Sequence, residues 1–328
     1  MDNYVPPFEI TNGMFDAASK IMERLGELYG VNEWERFPRL RKVSRIKSIH
    51  SSLAIENNTL SIKQVTDVIA GKRVVGPVDD IRAVKNAFSA YNELNNIDVY
   101  SLDDLQRIHG IMMSGLVAEC GMIRTGEVGV FDTQGNVVHI APPAQIAKEN
   151  LVQLFDWIKN SEIQMLIKSS VFHYEFEFIH PFRDGNGRMG RYWQTALLAH
   201  WKPIFRYIPI ESVIKDNQEE YYNAIRKSTS QGKSNVFIEF MLDVILKAID
   251  GIANDAVGHY SHFSVQINKL MSVLETYPQS ANELMNKLGL KSREGFRKNY
   301  LLPAIEAGIV LMTVPDKPTS KNQMYYKI

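Results

Sequence analysis

The stretch from His180 to Arg191, HPFRDGNGRMGR, constrains this chain more than any other. Ahead of it, residues 164–179 (QMLIKSSVFHYEFEFI) carry a helix-like apolar pattern. Pro181 has no amide hydrogen and disfavours helical geometry in the residue before it, so that helix is expected to end near His180. Behind it, RMGRYWQTALLAHW predicts a second helix, apolar at Trp193, Leu197 and Trp201. The two helices must be joined by a short loop in which Gly185 and Gly187 flank Asn186. A glycine-rich loop opening a helix presents unpaired N–H groups and the positive end of the helix dipole, and both suit a phosphate.

The charges then break a local rule. Arg188 and Arg191 lie in the first turn of the second helix, where the dipole disfavours cations. Three residues apart, they share a face, which suits a polyphosphate or a protein carboxylate as their partner. Asp184 is a hard oxygen ligand placed to hold Mg²⁺ against such phosphates. His180, an imidazole at the loop mouth, is the candidate base for a hydroxyl nucleophile. Singly, Gly-Asn-Gly is a turn, a histidine is structural and paired arginines are a solvated face. In this order and at this spacing they mark a site.

The stretch resembles, position for position, the signature of the Fic family: His-Pro-Phe, any residue, Asp/Glu, Gly-Asn-Gly-Arg, two residues, Arg. That resemblance implies transfer of AMP from ATP, with Mg²⁺, to a Ser, Thr or Tyr hydroxyl of a target protein or of the chain itself. It implies that His180 deprotonates the target and Asp184 holds the metal. Gly185, Asn186 and Gly187 would cradle the phosphates, with Arg188 and Arg191 on the β/γ end. A phosphate-transferring branch departs from this pattern within the glycine loop; here the pattern is kept, which favours nucleotidyl transfer. Two alternatives stay open: removal of AMP, with Glu56 orienting a water, and a DNA-binding transcriptional regulator whose Fic-like domain is sensory.

Upstream, a helix from Leu40 carries the apolar line Ile46, Ile49, Leu53, and on the same line stands Glu56. A carboxylate there needs a partner, because burying an unpaired charge is costly. Ser52 lies four residues earlier and Asn57, a reasonable helix C-cap, directly after. Ser-x-x-x-Glu-Asn resembles the inhibitory motif that some Fic proteins carry, in which the Glu pairs with the last signature arginine, here Arg191. The resemblance thus implies autoinhibition by Glu56.

The remaining chain supplies the frame. Residues 121–143 predict a β-hairpin from Val128, Val130, Val137 and Ile140 around Gly135-Asn136; it resembles the Fic flap that pairs with an extended target segment. His139 and Asp132 in it could touch ligand or target. His109 reads as a packed helix residue, and Tyr221, Tyr222 and Asn223 as either base contacts or aromatic packing. After Ser280, a helix N-cap, the order helix, turn, helix, hairpin is that of a winged helix, with Lys291, Arg293, Arg297 and Lys298 able to grip DNA phosphates. The expected fold is therefore mainly α: an N-terminal helical segment over 1–95, a Fic-type core over 96–255, a linker helix over 256–277 and a winged-helix domain over 278–328. Lys+Arg and Asp+Glu balance at 37 each, so no global field points to nucleic acid or membrane. One cysteine, Cys120, no signal peptide and no bilayer-length apolar run suggest a bacterial-type cytoplasmic protein. The oligomeric state is left open, a homodimer included.

Overall fold

A computed structural model describes residues 4–30, 38–131, 137–261, 265–306, 310–315, 317–318 and 320–327. The chain divides into two units, Met1–Gly26 with Ser44–Asp250, and Glu27–Val43 with Gly251–Ile328. These cuts differ from the sequence divisions at 95 and 255: residues 44–95 belong with the core, and 251–277 with the C-terminal unit.

In the first unit α1 (Asn12–Gly30) buries Met14, Ile21 and Leu25 at helical spacing. Helix α2 (Pro38–Ile55) buries Ile46, Ile49 and Leu53 and ends one residue before Glu56. Asn57 then turns the chain at φ 63°, the left-handed conformation that asparagine tolerates after a helix. Helix α3 (Ile62–Ile69) opens on a capping box of Ser61 and Gln64. Next come α4 (Val78–Asn92) and α5 (Leu102–Met112), the latter N-capped by Ser101 as its sequence suggested. Strands β1 (Gly129–Phe131) and β2 (Val137–Ile140) form the expected antiparallel hairpin, with Gly129 opposite Ile140 and a register shift after Val130. Its turn, with Asp132, Gly135 and Asn136, lies outside the described residues, as does the side chain of His139.

Helix α6 (Ala144–Asn160) leads to the centre of the unit, the pair α7 (Met165–Ile179) and α8 (Asn186–Trp201). Both are buried on nearly every side, which marks a central helix pair. Helices α9 (Ile210–Asp216), α10 (Gln218–Gln231) and α11 (Asn235–Ser261) follow, with Gly232 at φ 62° closing α10. Helix α10 packs along β2. Among the described residues no helix is long and apolar enough to cross a membrane.

The C-terminal unit contains α12 (Val265–Val273), β3 (Gln279–Ser280), α13 (Ala281–Lys287), α14 (Arg293–Phe296), α15 (Leu302–Glu306), β4 (Val310–Met312) and β5 (Met324–Lys327). Leu270 and Leu274 join Leu284, Phe296, Leu301 and Val310 in one core, so α12 is part of this unit's core and not a free linker. A π-helical turn, Arg297–Leu301, joins α14 to α15 just ahead of Pro303, whose ring would clash with a carbonyl of a regular α-turn. The strands pair antiparallel in the order β3-β5-β4. Strand β3 escaped the sequence reading because it is two residues long and its Ser280 also caps α13.

Candidate active site

The predicted loop forms where Pro181 ends α7. His180 is the C-cap of α7, in the left-handed conformation at φ 49° and ψ 59°. A non-glycine residue there needs support, and its backbone is held at both ends. Its N–H donates to the carbonyl of Phe176 at 2.9 Å, and its carbonyl accepts from Arg124 Nε at 2.8 Å. His180 Nδ1 lies 3.3 Å from the carbonyl of Glu177, which can accept its proton. With the proton on Nδ1, the Nε2 lone pair is the basic position.

Helix α8 starts at Asn186 with Gly185 as N-cap, at φ 80° and with no side-chain cap. Its first-turn N–H groups are left for another acceptor. At Gly187 the Glu56–Arg191 pair packs close to the backbone: a Cβ there would lie 2.5 Å from Glu56 Oε1 and would displace that side chain. The side chain of Asn186 is committed elsewhere. It donates to the Phe182 carbonyl at 2.8 Å and accepts the Phe182 N–H at 2.9 Å, clamping the loop. Only its backbone faces the role expected of it toward phosphate.

The cations lie as the spacing implied. Arg188 has a side chain 10% exposed, with Nη2 3.6 Å from Asp184 Oδ1 and a buried Nε that lacks a hydrogen-bond partner. Such an orphan donor is costly unless an anion joins it. Asp184 is 57% exposed at the rim; its Oδ1 accepts the Gly185 N–H at 2.6 Å and faces Arg188, so Oδ2 is the oxygen better placed to meet a metal. Among the described residues no group of three or more His, Cys, Asp or Glu stands ready for a metal. A single carboxylate suits Mg²⁺, which takes most of its ligands from phosphate and water.

Arg191 is engaged by the upstream motif through Nε and Nη2. Its Nε donates to Ser52 Oγ at 3.2 Å and its Nη2 to the Ser52 carbonyl at 3.0 Å and to Glu56 Oε1 at 2.8 Å. Burial pushes the Glu56 carboxyl up, but Arg191 and then Arg188 outweigh it and hold Glu56 below the usual carboxylate range. Helix α2 is fixed for this contact by Ser48 Oγ on Glu211 Oε2 at 2.8 Å and by Gln218 Nε2 on the Ile55 carbonyl at 3.1 Å. All nine residues singled out from the sequence, Ser52, Glu56, His180, Asp184, Gly185, Asn186, Gly187, Arg188 and Arg191, thus meet in one unit. Tyr221 does not join them: it is buried among Phe237 and Phe240 with its hydroxyl on His173, so it packs. Tyr222 and Asn223 are half-buried on α10.

Two supporting residues were missed. His109 stacks on Phe182 at 3.7 Å, accepts the Gly121 N–H on Nδ1 at 2.7 Å and faces the Asp184 carbonyl with Nε2 at 3.0 Å. Burial pushes it down to about 4, so it is neutral and donates from Nε2. Its place on the apolar face with Leu105, Ile108 and Met112 was the available signal. Arg124 is buried and donates to the carbonyls of Ile179, His180, Gly126 and Pro142, tying the base of the hairpin to the loop. No local pattern announces it.

Residues 99–198 match the Fic/DOC family, and residues 265–327 match the C-terminal domain of the Fic-like filamentation induced by cAMP proteins. The protein adenylyltransferase Fic of Culex quinquefasciatus is 26% identical over 226 residues, 65% of this chain and 42% of that one. That of Nematostella vectensis is 24% identical over 70% of this chain and 54% of its own. The chain spans about half the length of these curated relatives. Fic-1 of C. elegans shares the fold, with a TM-score of 0.58 at 20% identity over 75% of this chain and 72% of that one. A Fic family protein from Desulfovibrio desulfuricans G20 is 43% identical and covers 99% of this chain and 98% of its own, with a TM-score of 0.75. Matched end to end by this relative and carrying the signature on the geometry described, the chain belongs to the Fic family.

Proposed function

We propose that the protein is an Mg²⁺-dependent adenylyltransferase that moves AMP from ATP to a Ser, Thr or Tyr hydroxyl of a protein and is held at rest by Glu56. The observation that carries this reading is the anion already seated at the mouth of α8. Glu56 Oε1 lies 2.8 Å from Arg191 and directly over Gly187, where the uncapped helix terminus and the orphan Nε of Arg188 attract negative charge. A triphosphate offers the same charge to the same donors.

In the reaction His180 Nε2 takes the hydroxyl proton, the hydroxyl oxygen forms a bond to the α-phosphorus, and pyrophosphate leaves. The first-turn N–H groups of α8 and the two arginines hold the leaving group's charge, which is where such a transfer is stabilised. Asp184 is the residue that would hold Mg²⁺, and the ion would neutralise phosphate charge. The β1–β2 hairpin, tied to the His180 loop through Arg124, offers strand edges on which an extended target could lie. Intact-mass and peptide mass spectrometry after incubation with ATP and Mg²⁺ tests the reading. An added AMP in the wild type or in Glu56→Gly, absent in His180→Ala, supports it; no addition in either refutes it.

The C-terminal unit supports a separate reading, a DNA partner for a winged helix. Residues 278–328 carry eight Lys and Arg against four Asp and Glu in a chain of zero net charge. Lys291, Arg293, Arg297 and Lys298 are exposed at the start of the second helix, with Lys317 and Lys321 between β4 and β5. Duplex DNA should bind with a steep salt dependence that Arg297→Ala with Lys298→Ala flattens. No shift of duplex at low salt would leave protein docking as the better reading.

A further inference from the structure

Glu177, one turn before His180, is a buried carboxyl that none of the roles above uses. Its Oε2 lies 3.8 Å from His180 Nδ1 and its Oε1 3.9 Å from His173 Nε2. Oε1 has no hydrogen-bond partner, and a Cβ on Gly190 would come within 2.8 Å of it. The groups facing this carboxyl are His173 on α7, Arg191 on α8, Tyr221 on α10, Glu56 beyond α2, and His180.

A chain of hydrogen bonds fixes what His173 can offer. Ser170 Oγ donates to the Leu166 carbonyl at 2.8 Å, so it accepts from Gln194 Nε2 at 3.3 Å. Gln194 Oε1 therefore accepts the Nδ1 proton of His173, at 2.6 Å. His173 Nε2 is left as an acceptor and receives the Tyr221 hydroxyl at 3.1 Å. Burial pushes His173 down to about 3, which keeps it neutral. Glu177 thus has a lone pair behind its carboxyl and, 3.8 Å ahead of it, the Nδ1 of His180, whose proton the main-chain carbonyl of Glu177 accepts at 3.3 Å.

We infer that Glu177 is a positioning residue for His180, its carboxylate lying at ion-pair distance from Nδ1 and stabilising the positive charge that the ring gains when Nε2 takes the hydroxyl proton. The inference rests on His180 being the base of the proposed transfer. The arrangement shares with an acid behind a catalytic histidine the stabilisation of the imidazolium, while the main-chain carbonyl of Glu177 orients the ring. Burial raises Glu177 to about 8; Arg191 pulls it down and Glu56 pushes it up. Glu56 and Glu177 thus share Arg191 as their cationic neighbour.

The test uses the full chain carrying Glu56→Gly, with and without Glu177→Gln, a substitution of nearly equal size. In the parent, kcat for AMP incorporation should rise with pH as Glu177 ionises. In Glu177→Gln that rise should vanish and kcat at the alkaline end should fall roughly tenfold, with KM for ATP changed less than about twofold. A second readout does not depend on turnover. With ¹³C-labelled histidine, the His180 ring resonance, assigned by its loss in His180→Ala, should show an alkaline inflection that disappears in Glu177→Gln and survives in Glu177→Asp. Superimposable pH profiles and superimposable ring titrations in parent and Glu177→Gln would overturn the inference. An inflection without any AMP transfer would instead leave the pair intact and remove adenylyl transfer as its purpose.

Discussion

Replacing Glu56 by glycine should raise AMP transfer, by an amount the geometry bounds. The contact removed is a 2.8 Å charge-assisted bond between a carboxylate 32% exposed and an arginine side chain 1% exposed. Hydrogen bonds to charged groups contribute about 1.5–3 kcal/mol, whereas exposed ion pairs contribute about 0.2–1 kcal/mol. With one partner dry and the other a third wet, about 1.5–2 kcal/mol is reasonable. If that energy now opposes the γ-phosphate, its removal corresponds to roughly tenfold to thirtyfold in rate. Glu56→Gln keeps the bulk and an acceptor while removing the charge, so its effect should be smaller than that of glycine. Arg191→Ala should not activate, because it removes the phosphate's partner together with the inhibitor's.

The assay is the initial rate of self-labelling with α-labelled ATP in wild type, Glu56→Gly, Glu56→Gln and Glu56→Gly with His180→Ala. Equal rates for wild type and Glu56→Gly would make Glu56 a structural carboxylate and refute the competition. Label that survives in the double variant would remove His180 as the base, a loss expected to cost about 10²–10⁴ in rate.

Asp184→Ala should raise the Mg²⁺ concentration needed for half-maximal activity, while equal activity in excess EDTA would take the metal out of the mechanism. Arg124→Ala leaves four carbonyls without their donor and should lower stability by roughly 3–5 kcal/mol in urea unfolding, with Arg124→Lys a poor rescue because a single ammonium cannot span that fork. Among the described residues, four strongly shifted buried groups bear on the pH dependence of stability. Glu177 and Glu175 are raised from 4.5 to about 8 and about 7, so the native state holds their protons and stability falls as pH rises above 6.5. His173 and His109 are lowered from 6.5 to about 3 and about 4, so acid favours the unfolded state, and between pH 6.5 and 4.5 the two pairs oppose one another. Denaturant unfolding should show the protein more stable at pH 6 than at pH 8, by about tenfold in the equilibrium constant per group and pH unit. Greater stability at pH 8 would refute this balance.

Which parts of this molecule were legible follows from the range of the physics involved. The His180–Arg191 loop is a local object: proline ends one helix, glycines open the next, and side-chain spacing decides which residues share a face, so the sequence alone carries it. The Glu56–Arg191 pair spans 135 residues, yet it was legible through an unmet need. A carboxylate on an apolar line and an arginine at a positive helix end each lacked a partner, and the family resemblance named each as the other's. Arg124 and His109 had no such mismatch. An arginine beside two glycines is an ordinary loop residue, and a histidine on an apolar helix face is ordinarily packed; only the fold shows that both donate to carbonyls around the His180 loop.

Glu177 lies between these cases, because its position in the sequence is local to His180 but its meaning is not. The i, i+3 spacing to His180 is visible in the sequence, and so is the excess of charge on a helix otherwise suited to burial. What could not be read was the direction of the hydrogen-bond chain behind it, since that depends on Ser170, Gln194 and Tyr221 arriving from three helices. That chain turns His173 into an acceptor and leaves Glu177 with Arg191 and His180 as the cationic or N–H groups facing it. The same two residues that the signature assigns to phosphate and to base are therefore coupled through a carboxyl the signature does not include. The proposed inhibition and the proposed positioning of the base thus meet at one residue, Arg191, which pairs with Glu56 and faces Glu177.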